Sequence, residues 1–274
     1  MDRRSMIALV AASTLAACSS SPGSPKGKRG RSVQKVRYGS DPSQFGELSR
    51  PSGASKGVVV VIHGGFWRSM YDLSLGRPLA ESLVAQGWTA FNLEYRRVGN
   101  GGGWPRTFDD VAAGIDALGT VEGLDTTKVV TLGHSAGGHL AVWAAGRPKL
   151  RGTPWATPAV PVTAAIAQAG VLDLGSAVSE NLGSGATQAF MGEAGAADFE
   201  QADPSEQIPL DVPVRCVHGR SDDIVPLRQS IDYVEQAKAA GADAELIDVE
   251  GDHFVVIDPS SRAWARTLET LEAL

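Results

Sequence analysis

Val58 to Ile62 reads Val-Val-Val-Val-Ile, an unbroken β-branched run. A strand with one wet face alternates apolar and polar residues, so a continuous run belongs to a strand covered on both faces. Similar candidates follow at Trp88 to Tyr95, Lys128 to Gly133, Val162 to Ala169, Val212 to Val217 and Ala244 to Val249. Between them lie segments with helical spacing. These are Leu73 to Gln86, Phe108 to Leu118 (Thr107 or Asp109 near its start), Ala136 to Gly146, Leu227 to Ala240 and Ser260 to Leu274. Strand and helix in alternation predict an α/β fold with a mostly parallel, doubly covered sheet. With two short leading strands inside Lys35 to Ser49, that sheet has about eight strands. Gly175 to Ser205, rich in Gly, Ala and Ser, breaks the alternation and reads as a small cap inserted in one domain spanning 33–274.

The first residues read differently. Arg3 and Arg4 precede an apolar stretch from Met6 to Ala17, too short to span a bilayer. It ends in Leu15-Ala16-Ala17-Cys18, which resembles the bacterial lipoprotein cleavage box, and Arg3-Arg4 also resembles a twin-arginine export signal. The expectation is a signal peptide over 1–17, lipid on Cys18, and an exported protein held at the cell envelope. Residues 18–32 are rich in Ser, Pro and Gly and predict a flexible tether. Its Lys26, Lys28, Arg29 and Arg31 suit an anionic membrane surface, or merely keep a linker solvated.

With Cys18 lipidated, Cys216 has no partner, which excludes a disulfide scaffold and leaves a buried free thiol. A formal charge of −6 argues against a nucleic-acid binder.

Four motifs carry chemistry, and each follows a predicted strand. Gly133-His134-Ser135-Ala136-Gly137 is a G-x-S-x-G pattern between a strand and a helix. A serine there sits on a tight turn with its hydroxyl clear of the backbone, and the helix N-terminus aims N–H groups at it. His63-Gly64-Gly65-Phe66-Trp67 follows the Val58–Ile62 run. Its glycines let backbone approach a reacting carbonyl, so its N–H groups, with that of Ala136, could hold a developing oxyanion. His63 precedes the turn and reads as a structural hydrogen-bonder. His218-Gly219-Arg220-Ser221-Asp222-Asp223 places an acid at a strand's carboxyl end, where α/β sites gather. Gly251-Asp252-His253-Phe254 supplies a histidine downstream of both serine and acid, the order expected for this architecture.

These motifs resemble the α/β-hydrolase serine esterases with an HGGxW oxyanion motif, the branch of feruloyl and acetyl xylan esterase-like proteins and of arylformamidases. The resemblance covers about residues 36–274. It implies Ser135 as nucleophile, His253 as base, and Gly64, Gly65, Phe66 and Ala136 as the oxyanion region. Asp222 fits the frame H-G-x-x-D-x-x-V-P as the acid, and Asp223 is the alternative. Phe66 stands where lipases of the HGGG type have glycine, which favours the formamidase or xylan-esterase branch.

The implied reaction is acyl transfer through Ser135, without cofactor or metal. The five histidines lack ligand spacing, and no P-loop or dinucleotide fingerprint is present. A small-molecule ester of short-acyl or aromatic type is the expected substrate. Amide hydrolysis of arylformamidase or peptidase type is the rival reaction, and a non-catalytic, lipid-anchored binding protein is the rival class. An exported location weighs against kynurenine chemistry. Trp67, Tyr95 and Trp104 either line an aromatic pocket or pack ordinarily, with packing the more usual outcome. Glu94 suits pairing with a nearby arginine.

Overall fold

The computed structural model describes residues 33–274. Cys18 and the expected export segment and tether lie outside the described residues. The elements in chain order are β1 (Val33–Arg37), β2 (Phe45–Ser49), β3 (Val58–Ile62), α1 (Arg77–Ala85), β4 (Thr89–Leu93), α2 (Arg106–Asp116), β5 (Val129–His134) and α3 (Ala136–Gly146). They continue with β6 (Ala164–Gln168), α4 (Leu174–Ser179), α5 (Ala186–Met191), α6 (Ala196–Ala202), β7 (Val214–Gly219), α7 (Arg228–Ala239), β8 (Ala244–Val249) and α8 (Arg262–Ala273). The strands form one sheet in the order β1-β2-β4-β3-β5-β6-β7-β8. The β1–β2 and β2–β4 pairs are antiparallel, and every pair from β4 to β8 is parallel.

The all-apolar β3 serves both faces at once. Val58, Val60 and Ile62 enter a core with Phe108 and Val111 of α2, Leu140 and Trp143 of α3, and Tyr233 of α7. Val59 and Val61 enter a second core with Leu79 and Leu83 of α1 and Trp264 and Leu271 of α8. Each such side chain contributes about 1.5–3 kcal/mol when fully buried. α3 is buried on every side, and only small residues at its start allow that. A Cβ on Gly138 would lie 2.7 Å from the Gly170 backbone.

The element boundaries differ from the sequence reading where side chains act on the backbone. Leu73 to Gln86 is two helices. Asp72 accepts from the Ser74 amide at 2.8 Å and caps a 3₁₀ turn over Leu73–Gly76. α1 then starts afresh at Arg77, with Pro78 in its first turn, where a missing N–H costs nothing. The strand expected from Trp88 to Tyr95 narrows to Thr89–Leu93. The Glu94 amide still donates to the Phe45 carbonyl of β2 at 2.9 Å, and its carboxylate accepts from the Leu73 and Tyr95 amides at 2.9 and 3.0 Å, so the chain leaves the ladder just after it. α2 begins before Phe108, at Arg106, following Pro105. Between β6 and β7 the segment read as a cap carries three short helices. Asp203 ties them together, accepting from the Leu174 amide at 2.7 Å and the Ser205 amide at 3.0 Å.

Candidate active site

The four motifs meet at the carboxyl ends of β3, β5, β7 and β8, which lie on one end of the sheet. β5 runs straight into Ser135, and α3 starts at the next residue. Ser135 holds φ 56°, ψ −121°, a left-handed conformation that costs a non-glycine residue about 1–3 kcal/mol. The surroundings enforce it. The Ser135 amide donates to the Gln168 carbonyl of β6 at 2.8 Å, and the Gly138 amide of α3 donates to the Ser135 carbonyl at 2.9 Å. A Cβ on Gly137 would lie 2.1 Å from the Ile62 carbonyl, and one on Gly133 would lie 1.9 Å from the Gly137 carbonyl. Both glycines of the G-x-S-x-G pattern are therefore required by packing of backbone on backbone.

Beside this turn, Gly65, Phe66 and Trp67 all take positive φ, at 111°, 55° and 53°. That winding leaves the amides of Gly65 and Phe66, like that of Ala136, without a hydrogen-bond partner among the described residues. Gly64 lies flush against the serine turn, where a Cβ would stand 3.1 Å from Cβ of Ser135. Beneath the loop sits a buried polar cluster. The His63 ring contacts the Gly64 carbonyl through Nδ1 at 2.8 Å, and Arg97 donates to its Nε2 at 3.1 Å. The Tyr95 hydroxyl donates to the His63 carbonyl at 2.6 Å, and its ring stacks on His63. Arg97 also pairs with Glu94. Burial would raise the Glu94 carboxyl, but His63, the Leu73 amide and Arg97 outweigh it and hold it below the usual range.

His253 and Asp222 meet from neighbouring loops, Nδ1 to Oδ2 at 2.7 Å. Asp222 is fully engaged. Its Oδ1 accepts from the Ile224 and Val225 amides at 2.9 and 2.8 Å, and His218 Nε2 lies 3.2 Å from its Oδ2. Burial by itself would raise this carboxyl, yet His218, His253 and the Val225 amide together hold it far below the carboxylate range. Asp223, the alternative acid, is exposed. The two loops also bind each other directly, through the Ser221 amide and the Gly251 carbonyl at 2.9 Å.

Two contributors were not legible as such in the sequence. His134, the variable position of the serine turn, donates through Nε2 to the His253 carbonyl at 2.9 Å. It therefore links the serine turn to the histidine loop. Burial and the facing His253 push its ring down to about 3, so it stays neutral. His218 Nε2 lies between the Val225 carbonyl at 3.0 Å and Asp222, while its Nδ1 meets the Ser230 hydroxyl at 2.8 Å. The signal for both was position, since each histidine directly adjoins or opens a motif.

Ser135, His253 and His134 open on a cavity of about 140 Å³ lined also by Gly65, Phe66, Tyr71, Leu75, Ile224, Phe254 and Ile257. The aromatic residues considered for a pocket are elsewhere. Trp67 and Tyr95 are buried, and Trp67 stacks on Phe190 of α5. Trp104 meets Phe108 and Trp155 edge-on. His139 is buried in α3, with its Nε2 on the Ala202 carbonyl at 2.8 Å. Cys216 is a buried free thiol, pushed up to about 12 by burial.

The family model described as BD-FAE matches residues 48–236. Esterase LipC of Mycobacterium tuberculosis (strain ATCC 25618 / H37Rv) is 33% identical over 118 residues, which is 40% of this chain and 29% of that protein. The chain thus spans less than a third of that relative. Among solved structures, esterase B from Lactobacillus rhamnosis (HN001) is similar at a TM-score of 0.76 and 22% identity, covering 89% of this chain and 85% of that one. Native esterase 2 of Thermogutta terrifontis is similar at a TM-score of 0.71 and 23% identity, covering 89% and 91%. A truncated carbohydrate esterase from gut microbiota is similar at 0.72 and 20% identity, covering 87% and 94%. At these identities the structural likeness is one of fold.

Proposed function

The chain belongs to the BD-FAE family, a family of α/β-hydrolase esterases, and from that membership we propose that it is a serine esterase working through Ser135, His253 and Asp222. The observation that carries this reading is the Asp222–His253 pair at 2.7 Å, opening on the same cavity as the strained Ser135. In the proposed reaction His253 takes the Ser135 proton as Oγ attacks an ester carbonyl. The carbonyl oxygen, now negative, is received by the free amides of Gly65, Phe66 and Ala136, each such donor typically worth about 3 kcal/mol of barrier. His253 returns the proton to the leaving alcohol, and the C–O bond breaks. Water then repeats the attack, releasing the acid and restoring the Ser135 hydroxyl. Asp222 keeps the imidazole oriented and supports its charged form.

The substrate in this reading is a small ester of short-acyl or aromatic type, since a cavity of about 140 Å³ beside Ser135 leaves room for only a small group. The protein is proposed to act outside the cytoplasm, held by lipid on Cys18. The test compares p-nitrophenyl acetate, p-nitrophenyl palmitate and N-formylkynurenine on protein lacking residues 1–32. Acetate is expected to turn over fastest, and Ser135→Ala to lose nearly all of it while keeping the native circular dichroism spectrum. Unchanged turnover by Ser135→Ala would remove the reading. Preference for N-formylkynurenine would move the reaction to amide hydrolysis.

A further inference from the structure

The esterase reading says nothing of which half of the ester gives the site its selectivity, and the position of His253 bears on that. In acyl transfer the leaving oxygen collects its proton from the imidazole. The alcohol half of the substrate must therefore lie against whatever flanks His253. Those flanks are apolar. Phe254 follows His253 and meets its ring edge-on, with centroids 5.3 Å apart. Ile257 stands on the same loop, and Ile224 stands two residues beyond Asp222. Tyr71 and Leu75 also line the cavity.

Two features make this surface unusual for a resting protein. Phe254 is 55% exposed and Leu75 is 41% exposed, and both line the cavity. Large apolar groups left wet at the mouth of a site gain by being covered. Polar groups are correspondingly scarce. Among the described residues the cavity is lined by one polar side chain besides Ser135, His134 and His253, and that is Tyr71. No carboxylate, carboxamide or guanidinium side chain is in that lining to bind hydroxyl groups. A sugar would bring its hydroxyls into the cavity without partners, and stripping water from unpaired hydroxyls is unfavourable.

We propose that Ile224, Phe254 and Ile257 form a leaving-group shelf that selects esters of apolar or aromatic alcohols over esters of sugars. The proposal rests on the esterase reading. It assigns specificity to the histidine-side loops, and the cap between β6 and β7 has no part in it.

Acetates that share one acyl group and differ in the alcohol test it, because they pass through the same acyl-enzyme. The panel is benzyl, cyclohexylmethyl and 2-methoxyethyl acetate, whose alcohols are of similar acidity, with a monoacetylated methyl xyloside. Benzyl and cyclohexylmethyl acetate are expected to exceed the other two in kcat/KM by roughly tenfold or more, the discrimination an apolar contact supplies. In Phe254→Ser and Ile257→Ser, both checked for folding by circular dichroism, the benzyl to methoxyethyl ratio should fall severalfold. Methoxyethyl or sugar acetate turned over as well as benzyl acetate, in a reaction still abolished by Ser135→Ala, would overturn the shelf and leave the esterase standing. Turnover independent of Ser135 across the panel would overturn both.

Discussion

Arg97→Met tests how far the proposed oxyanion loop depends on the ion pair buried beneath it. Methionine keeps most of the side chain's volume and removes the charge. Glu94, 5% exposed at its side chain, would then keep the Leu73 and Tyr95 amides but lose its cation. Removing one partner of a buried pair costs about 3–5 kcal/mol, because the remaining charge stays buried without compensation. The two retained amide bonds put the expected loss at the lower end, about 3 kcal/mol. That is a large share of the ~5–15 kcal/mol typical of a whole domain. Urea denaturation followed by circular dichroism measures it. The double variant Arg97→Met, Glu94→Gln should recover much of the loss, since it removes the stranded charge as well.

The same substitution should reach catalysis through His63. Arg97 donates to His63 Nε2, and the other ring nitrogen meets the Gly64 carbonyl. Releasing the ring loosens the backbone that carries the Gly65 and Phe66 amides. Misplacement of about 1 Å in such a site can cost on the order of a hundredfold, so a partial shift should cost kcat roughly tenfold with KM little changed. A stability loss under about 1 kcal/mol together with wild-type kcat would refute this account of the cluster.

The acid can be identified by comparing Asp222→Asn, expected to lose on the order of 10⁴ in kcat, with Asp223→Asn, expected to stay within a few-fold; the reverse order would refute the assignment. Cys18→Ala should leave hydrolysis intact and move the protein from membrane to soluble fractions, and a wild type that fractionates as unlipidated and soluble would end the anchoring proposal. Asp203 gives a pH signature. Burial raises its carboxyl to about 6, above the ~4 of an unfolded chain, so the folded state holds the extra proton and stability falls as pH rises from about 4 to about 6. Asp203→Asn should remove a fall of about 2 kcal/mol from urea curves compared between pH 4.5 and 7, and identical changes in variant and wild type would contradict it.

The residues legible in the sequence are those whose role depends on near neighbours. Val58 to Ile62 declares a two-faced strand by itself, because both faces are filled with the same kind of side chain. Gly133 is equally local, since the carbonyl that forbids a larger residue there belongs to Gly137 of the same turn, whereas Gly137 is legible only through the pattern, its own clash being with the Ile62 and His63 carbonyls. The residues that stayed illegible act across long separations. Trp67 stands in a recognisable motif, yet its ring is claimed by Phe190, on a helix in the β6–β7 connection, and so never reaches the cavity. Glu94 ends a strand early because a loop that precedes α1 presents it with an amide.

His134 lies between these cases and shows how the site acquires rigidity. Its place next to Ser135 is set by the turn, while its hydrogen-bond partner is the carbonyl of a residue 119 positions later. A histidine in that place serves while its Nε2 carries a proton, and burial with the facing His253 keeps the ring neutral. The serine turn and the histidine loop are therefore coupled through backbone, apart from any contact between the side chains that would react. The proposed catalytic geometry needs such support, because Ser135 and His253 follow different strands and a shift of either loop would separate them. His134→Phe keeps a ring and removes the donor. It should lower kcat by roughly tenfold or more while leaving the urea midpoint within the range of a single lost hydrogen bond, about 1 kcal/mol. A wild-type kcat in that variant would mean that the histidine loop holds its position without the turn, and that the packing of Gly219 against Gly251 and Asp252 is sufficient.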